Sequence, residues 1–230
     1  MKVVLWDIDG TLVWTQGAGR RAMERALLEV FGTSGPTGHR YDGKTDMQIV
    51  REAMRLEGFE DGLIDARMET VCSLYLRELE RELGVPDHGA KLLPGVAEIL
   101  DALDARHDVL LGLLTGNLAA GAVHKLRAVG VSPARFAVGA YGSDHEHRPE
   151  LPAIAQARAS ALLGHPVPGG SCIIIGDTPS DVVCGRGIGA RAIAVATGYY
   201  DVHALAACAP EAVFADLTDT DAVVRAIVDA

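Results

Sequence analysis

Acidic residues stand where three apolar runs stop. Val3–Trp6 leads into Asp7-Ile8-Asp9-Gly10-Thr11, Val109–Leu114 into Thr115-Gly116-Asn117, and Cys172–Ile175 into Gly176-Asp177-Thr178-Pro179-Ser180-Asp181. Unbroken apolar runs of this length read as strands buried on both faces, and an open parallel sheet binds ligands beyond the carboxyl ends of its strands. Such a sheet would gather Asp7, Asp9, Thr115, Asp177 and Asp181 into one crevice. Four carboxylates held there repel one another unless a cation joins them. Mg2+ suits the site, being a hard octahedral ion held by a few carboxylates, waters and substrate phosphate.

The elements that must position these residues follow from the pattern around them. Phe136–Val138 and Ala192–Val195 read as two further buried strands, and helical patterning fills Gly95–Ala105, Leu118–Val129, Leu151–Leu163 and Pro179–Cys184. Strands alternating with helices predict an α/β, doubly wound, parallel-sheet (Rossmann-like) core. From Trp14 to Lys91 the alternation stops. Arg20–Phe31, Thr45–Glu57 and Leu63–Leu83 are helical in pattern and no convincing strand lies between them. The expectation is a core made of residues 1–13 and 92–230, interrupted by an α-helical domain of residues 14–91.

Composition narrows the function classes. Apolar residues are 49% and charged residues 23% of the chain, the balance of a globular protein. A net charge of −10 argues against a general nucleic-acid binder. An anionic substrate then needs local positive charge, from a metal ion or a few placed Arg and Lys side chains. Cys72, Cys172, Cys184 and Cys208 are far apart and form no C-x-x-C pair, which points to reduced thiols and a cytoplasmic setting. No apolar run approaches membrane-spanning length, so no membrane partner is expected. The oligomeric state is not legible.

In order and spacing these segments resemble the haloacid-dehalogenase superfamily of phosphatases, and the match spans the chain. Asp7-Ile8-Asp9-Gly10-Thr11 fits the first motif, D-x-D-G-T. Thr115-Gly116-Asn117 fits the second, and Gly176 to Asp181 the fourth, G-D-x-x-x-D. The third motif is normally a Lys; here Arg148, in Asp144-His145-Glu146-His147-Arg148-Pro149, is the candidate. The helical insert matches the superfamily's α-helical cap. Around Lys44, the segment Asp42-Gly43-Lys44-Thr45-Asp46 looks like the substrate-facing cap loop of phosphoglycolate-phosphatase-like members.

The resemblance implies a Mg2+-dependent phosphatase acting on a small phosphorylated metabolite. It implies Asp7 as nucleophile forming an aspartyl-phosphate, and Asp9 as general acid and then base. Mg2+ would be held by Asp7, the backbone carbonyl of Asp9 and Asp177, with Asp181 acting directly or through water. Thr115 and nearby backbone N–H groups, at Gly116 and Asn117, would hold the phosphoryl oxygens beside Arg148. Lys44 and Thr45 would meet the rest of the substrate. A phosphomutase or a phosphonatase on the same scaffold, the latter using Lys44 as a Schiff base, is an alternative. So is a binding or regulatory module that has lost turnover.

Plainer roles compete for several of these residues. Thr178 as N-cap with Pro179 next would put Asp181 at N3 of a capping box, a role compatible with metal binding. Asn117 reads first as a helix N-cap. Gly185-Arg186-Gly187-Ile188-Gly189-Ala190 follows a helix and precedes a strand, the reverse of a dinucleotide fingerprint, so a glycine cap and turn is expected. His145 and His147 read as exposed loop histidines.

Overall fold

The computed structural model describes residues 1–229. Eight strands and nine α-helices occur among them. In chain order these are β1 (Lys2–Trp6), β2 (Val13–Trp14), α1 (Ala18–Phe31), α2 (Asp46–Leu56), α3 (Asp61–Leu83), β3 (Lys91–Leu92), α4 (Val96–Asp104), β4 (Val109–Thr115), α5 (Ala119–Ala128), β5 (Val138–Tyr141), α6 (Leu151–Leu163), β6 (Cys172–Gly176), α7 (Pro179–Cys184), β7 (Arg191–Val195), α8 (Val202–Ala206), β8 (Ala212–Phe214) and α9 (Thr220–Asp229).

Six strands form one parallel sheet in the order β5-β4-β1-β6-β7-β8. Its strands are apolar on both sides because both sides are covered. Val4 and Trp6 point into a core shared with Ile99, Leu126 and Ile227, from α4, α5 and α9. Val3 and Leu5 point the other way, toward Leu151, Ala155 and Cys184 of α6 and α7. This is the doubly wound α/β architecture that the alternation predicts. The three signature-bearing strands are neighbours, with β1 between β4 and β6. Trp6 pairs with Leu113 on one side and Ile175 on the other.

Helices α1, α2 and α3 follow β2 and surround a core of their own, built on residues such as Met23, Leu27, Ile64 and Tyr75. Where the sequence suggests no strand, β2 and β3 form an antiparallel ribbon, Val13 opposite Leu92 and Trp14 opposite Lys91. Two residues per strand are too few for alternation to show. A second correction concerns Phe136–Val138. The strand begins only at Val138, because Pro133 opens a 3-10 turn over Pro133–Arg135 and Phe136 closes it by donating its N–H to the Pro133 carbonyl. Elements α8, β8 and α9 have no counterpart in the sequence reading. All four cysteines are free thiols. Among the described residues no helix is long and apolar enough to cross a membrane.

Candidate active site

The turn after β1 is built to hold two carboxylates at the sheet's edge. The Asp7 N–H donates to the Ile175 carbonyl at 2.9 Å, extending the β1–β6 pairing by one residue. Ile8 and Leu12 are fully buried, and the N–H groups of Leu12 and Val13 both donate to the Ile8 carbonyl. Gly10 has φ of +78°, and a Cβ there would lie 2.4 Å from Asp177 Oδ2. Only glycine permits both the left-handed turn and that approach.

Asp7, Asp177 and Asp181 are all buried, and one oxygen from each lies within 4.8 Å of the others. Arg148 is buried with them. Its Nη2 donates to Asp181 and lies 3.1 Å from Asp7 Oδ1. Thr11 Oγ1 donates to Asp177 Oδ1 at 3.2 Å. One guanidinium against three carboxylates leaves two negative charges when all are ionised. Burial first, and then repulsion from Asp181 and Asp9, push Asp7 up to about 6 against the pull of Arg148. Burial and the charges of Asp181 and Asp7 also raise Asp177 well above the usual carboxylate range. A divalent cation among these oxygens would balance the charge and reverse both shifts, so the donor set fits a hard metal ion.

Asp181 holds two positions at once. Thr178 caps α7, the Asp181 side chain returns to the Thr178 N–H at 3.0 Å, and the predicted capping box is complete. Its other oxygen remains with Arg148.

Asp9 belongs to a second group. Lys125 Nζ donates to its Oδ1 and Oδ2 at 2.8 and 2.6 Å, and Asn117 Nδ2 donates to Oδ2 at 2.8 Å. Asn117 also bonds Thr115 Oγ1 and accepts from Lys125. Asn117 is thus no helix N-cap. Leu118 occupies that position without a side-chain cap, because the Asn117 amide is drawn toward Asp9. Lys125 is absent from the sequence reading, where a helical lysine is ordinarily solvated. One signal was readable: it lies three and four residues after Ala122 and Gly121, on the buried stripe of α5.

The helical insert closes over these groups. Thr45 Oγ1 caps α2 and donates to the Glu146 carbonyl at 2.6 Å. The Asp46 N–H donates to the Gly116 carbonyl, and the Asp46 carboxylate accepts from the Leu118 N–H, both at 2.8 Å. Burial pushes Asp46 up to about 6 despite the pull of Lys125. Gly116 is needed for proximity, since a Cβ would lie 2.0 Å from the Lys44 carbonyl oxygen. A cavity of about 230 Å³ remains between insert and sheet, lined by Asp7, Asp9, Thr115, Gly116, Asn117, Arg148 and Asp177 below and by Arg20, Tyr41 and Lys44 above. Lys44 Nζ is ion-paired with Glu52 at 2.6 Å. His145 and His147 are exposed, as expected, and the glycine-rich Gly185–Ile188 forms a 3-10 turn ending at Gly189, φ +72°.

Comparison with known proteins agrees with this geometry. The family model for haloacid dehalogenase-like hydrolases matches residues 4–186. Over 202 residues the chain is 29% identical to a phosphoglycolate phosphatase of Rhodospirillum rubrum, covering 86% of this chain and 80% of that one. The crystal structure of a hydrolase from Pseudomonas syringae superposes with a TM-score of 0.74 at 22% identity, over 99% of both chains. That of a predicted phosphoglycolate phosphatase from Haemophilus somnus 129pt gives 0.71 at 19% identity, over 97% of this chain and 98% of that one. At these identities the two structures speak for the fold.

Proposed function

Since the chain belongs to the haloacid dehalogenase-like hydrolases, we propose that it is a Mg2+-dependent phosphatase of a small phosphorylated metabolite, working through an aspartyl-phosphate on Asp7. The observation that carries the reading is the buried Asp7 carboxylate. It faces the cavity, sits beside one guanidinium, and shares an excess of negative charge with Asp177 and Asp181. The 29% identity to a phosphoglycolate phosphatase supports the same class.

Asp7 attacks phosphorus, forming an Asp7–O–P bond as the bond to the leaving oxygen breaks, and Asp9 gives that oxygen a proton. Asp9, now a carboxylate, takes a proton from water. The water attacks phosphorus, the Asp7–O–P bond breaks, and phosphate and free Asp7 result. Arg148, which lines the cavity beside Asp7, neutralises phosphoryl oxygens. The Thr115 hydroxyl and the backbone N–H groups at Gly116 and Asn117 orient the same oxygens. Asp7, the Asp9 carbonyl and Asp177 would hold Mg2+, with Asp181 directly or through water. When bound, the ion supplies charge neutralisation to the phosphoryl group, most of what a loose transition state requires.

Residues 14–91 act in this reading as the cap that selects the rest of the substrate. Lys44 lines the cavity, which supports a part in selection, while its ammonium is held by Glu52 rather than free for a Schiff base. Thr45 contributes by fixing the loop to Glu146. Hydrolysis of p-nitrophenyl phosphate, abolished by EDTA and restored by Mg2+, tests the proposal together with mass-spectrometric detection of phosphorylated Asp7. Full activity in excess EDTA would overturn it.

A further inference from the structure

Lys125 is sealed while its partner is open. Both side chains border the cavity, but the lysine is only 5% exposed whereas Asp9 is 44% exposed, so the carboxylate is the group that opens to it. Removing an ammonium from water costs several kcal/mol, and a purely structural tie at this place would be served as well by apolar packing. The insert completes the enclosure: Gly19, in α1, leaves room for the ammonium, and a Cβ there would lie 3.4 Å from Nζ. All three ammonium protons have acceptors, two on Asp9 and one at Asn117 Oδ1, 2.6 Å away.

The consequence falls on Asp9. An ionised carboxylate offers about four lone-pair sites. Lys125 takes one on each oxygen and Asn117 takes the second on Oδ2, which leaves a single site, on Oδ1. We propose that Lys125 is a positioning residue of the reaction: with Asn117 it fixes the Asp9 carboxylate so that Oδ1 alone exchanges protons, first with the leaving group and then with water. This rests on the reading of Asp9 as general acid and base. Lys125 itself neither gains nor loses a proton; the proton leaves Asp9 Oδ1 for the leaving oxygen and returns from the attacking water.

The test compares Lys125→Met and Asp9→Asn on 2,4-dinitrophenyl, 4-nitrophenyl and phenyl phosphate, which demand progressively more protonation of the leaving group. Lys125→Met is expected to lose about ten- to hundredfold in kcat on phenyl phosphate with KM changed less than about threefold, within the contribution of general acid catalysis. On dinitrophenyl phosphate it should release one equivalent of 2,4-dinitrophenolate in a burst, then turn over slowly with phosphorylated enzyme accumulating, because the second step still needs an oriented base. Asp9→Asn should show the same pattern more strongly, and the double variant should be no worse than Asp9→Asn. A Lys125→Met loss in the rate of phosphoryl transfer to the enzyme that is equal on all three esters, a loss confined to KM, or one additive with Asp9→Asn would overturn the proposal while the acid–base reading stood. An Asp9→Asn enzyme without leaving-group dependence would remove that reading itself. Folding is checked by circular dichroism; if Lys125→Met does not fold, Lys125→Gln, which keeps a donor, is judged by the same criteria.

Discussion

Arg51 Nε donates to Glu146 Oε1 at 2.6 Å, so a helix of the insert grips the loop that delivers Arg148 two residues later. Each side chain is less than a fifth exposed, 17% and 16%. Such a pair is screened by solvent less than the typical surface ion pair, worth about 0.2–1 kcal/mol. Arg51→Met and Glu146→Gln should each lower kcat/KM for p-nitrophenyl phosphate about three- to tenfold, and the double variant should lose no more than either. Additive losses would mean that the two residues act separately.

Asp7→Asn should leave less than about a hundredth of wild-type turnover, because an amide is a poor nucleophile and a weaker metal ligand. The fold should persist, since the change is nearly isosteric and removes a charge that Asp177 and Asp181 oppose. Steady-state rates and a thermal melt decide it; a Tm at or above wild type together with the lost activity is the expected pair of results.

Arg148 is tied to both Asp7 and Asp181, so Arg148→Lys keeps a charge but loses the planar fork. A loss of about ten- to hundredfold in kcat is expected with the protein still folded. Arg148→Ala should be worse in kind, stranding buried carboxylates and lowering stability by about 3–5 kcal/mol. Equal melting curves for the two variants would argue that the guanidinium does not hold the cluster together.

Stability should depend on pH in a way that metal changes. Asp7 and Asp46 lie near 6 in the fold and Asp177 is raised as well, against about 3.9 in an unfolded chain. Between about pH 4 and 6 the native state therefore holds more protons than the unfolded one, and these groups make stability fall as pH rises through that window. Mg2+ favours the ionised forms of Asp7 and Asp177, leaving Asp46 alone to contribute. The Tm difference between Mg2+ and EDTA should widen from about pH 4.5 to pH 7; parallel curves would contradict the metal assignment.

Lys44→Ala should weaken the best natural substrate about ten- to hundredfold in kcat/KM, the value of a charged hydrogen bond, and scarcely alter p-nitrophenyl phosphate hydrolysis. Glu52→Gln releases the same ammonium and should change selectivity without loss of fold. Equal effects of Lys44→Ala on both substrates would assign the residue to closure of the insert instead.

The sheet and the acidic cluster were legible because burial on both faces leaves an unmistakable signature: Val3–Trp6 and Cys172–Ile175 are continuous apolar runs, and each ends in polar residues. Thr178, Pro179 and Asp181 likewise declared a helix start. What escaped depends on contacts between distant segments. Nothing local to α5 shows that Lys125 meets Asp9, 116 positions earlier, or that Asn117 turns from its helix toward the same carboxylate. The β2–β3 ribbon joins residues nearly eighty apart with two pairs, below the length at which periodicity carries information.

Gly116 and Gly142 give the seam between insert and sheet an unusual property. A Cβ on Gly142 would lie 2.0 Å from the Gly116 carbonyl oxygen, and one on Gly116 equally near the Lys44 carbonyl oxygen, so three stretches of main chain are stacked without side chains between them. At this point the approach of the insert is limited by main chain against main chain. Lining residues other than Gly116 and Lys44 can be exchanged to suit a different substrate without altering that stop, whereas adding a single methyl group at Gly116 would hold the insert off the sheet at Lys44. For anyone re-engineering selectivity, the walls are adjustable and the stop is not.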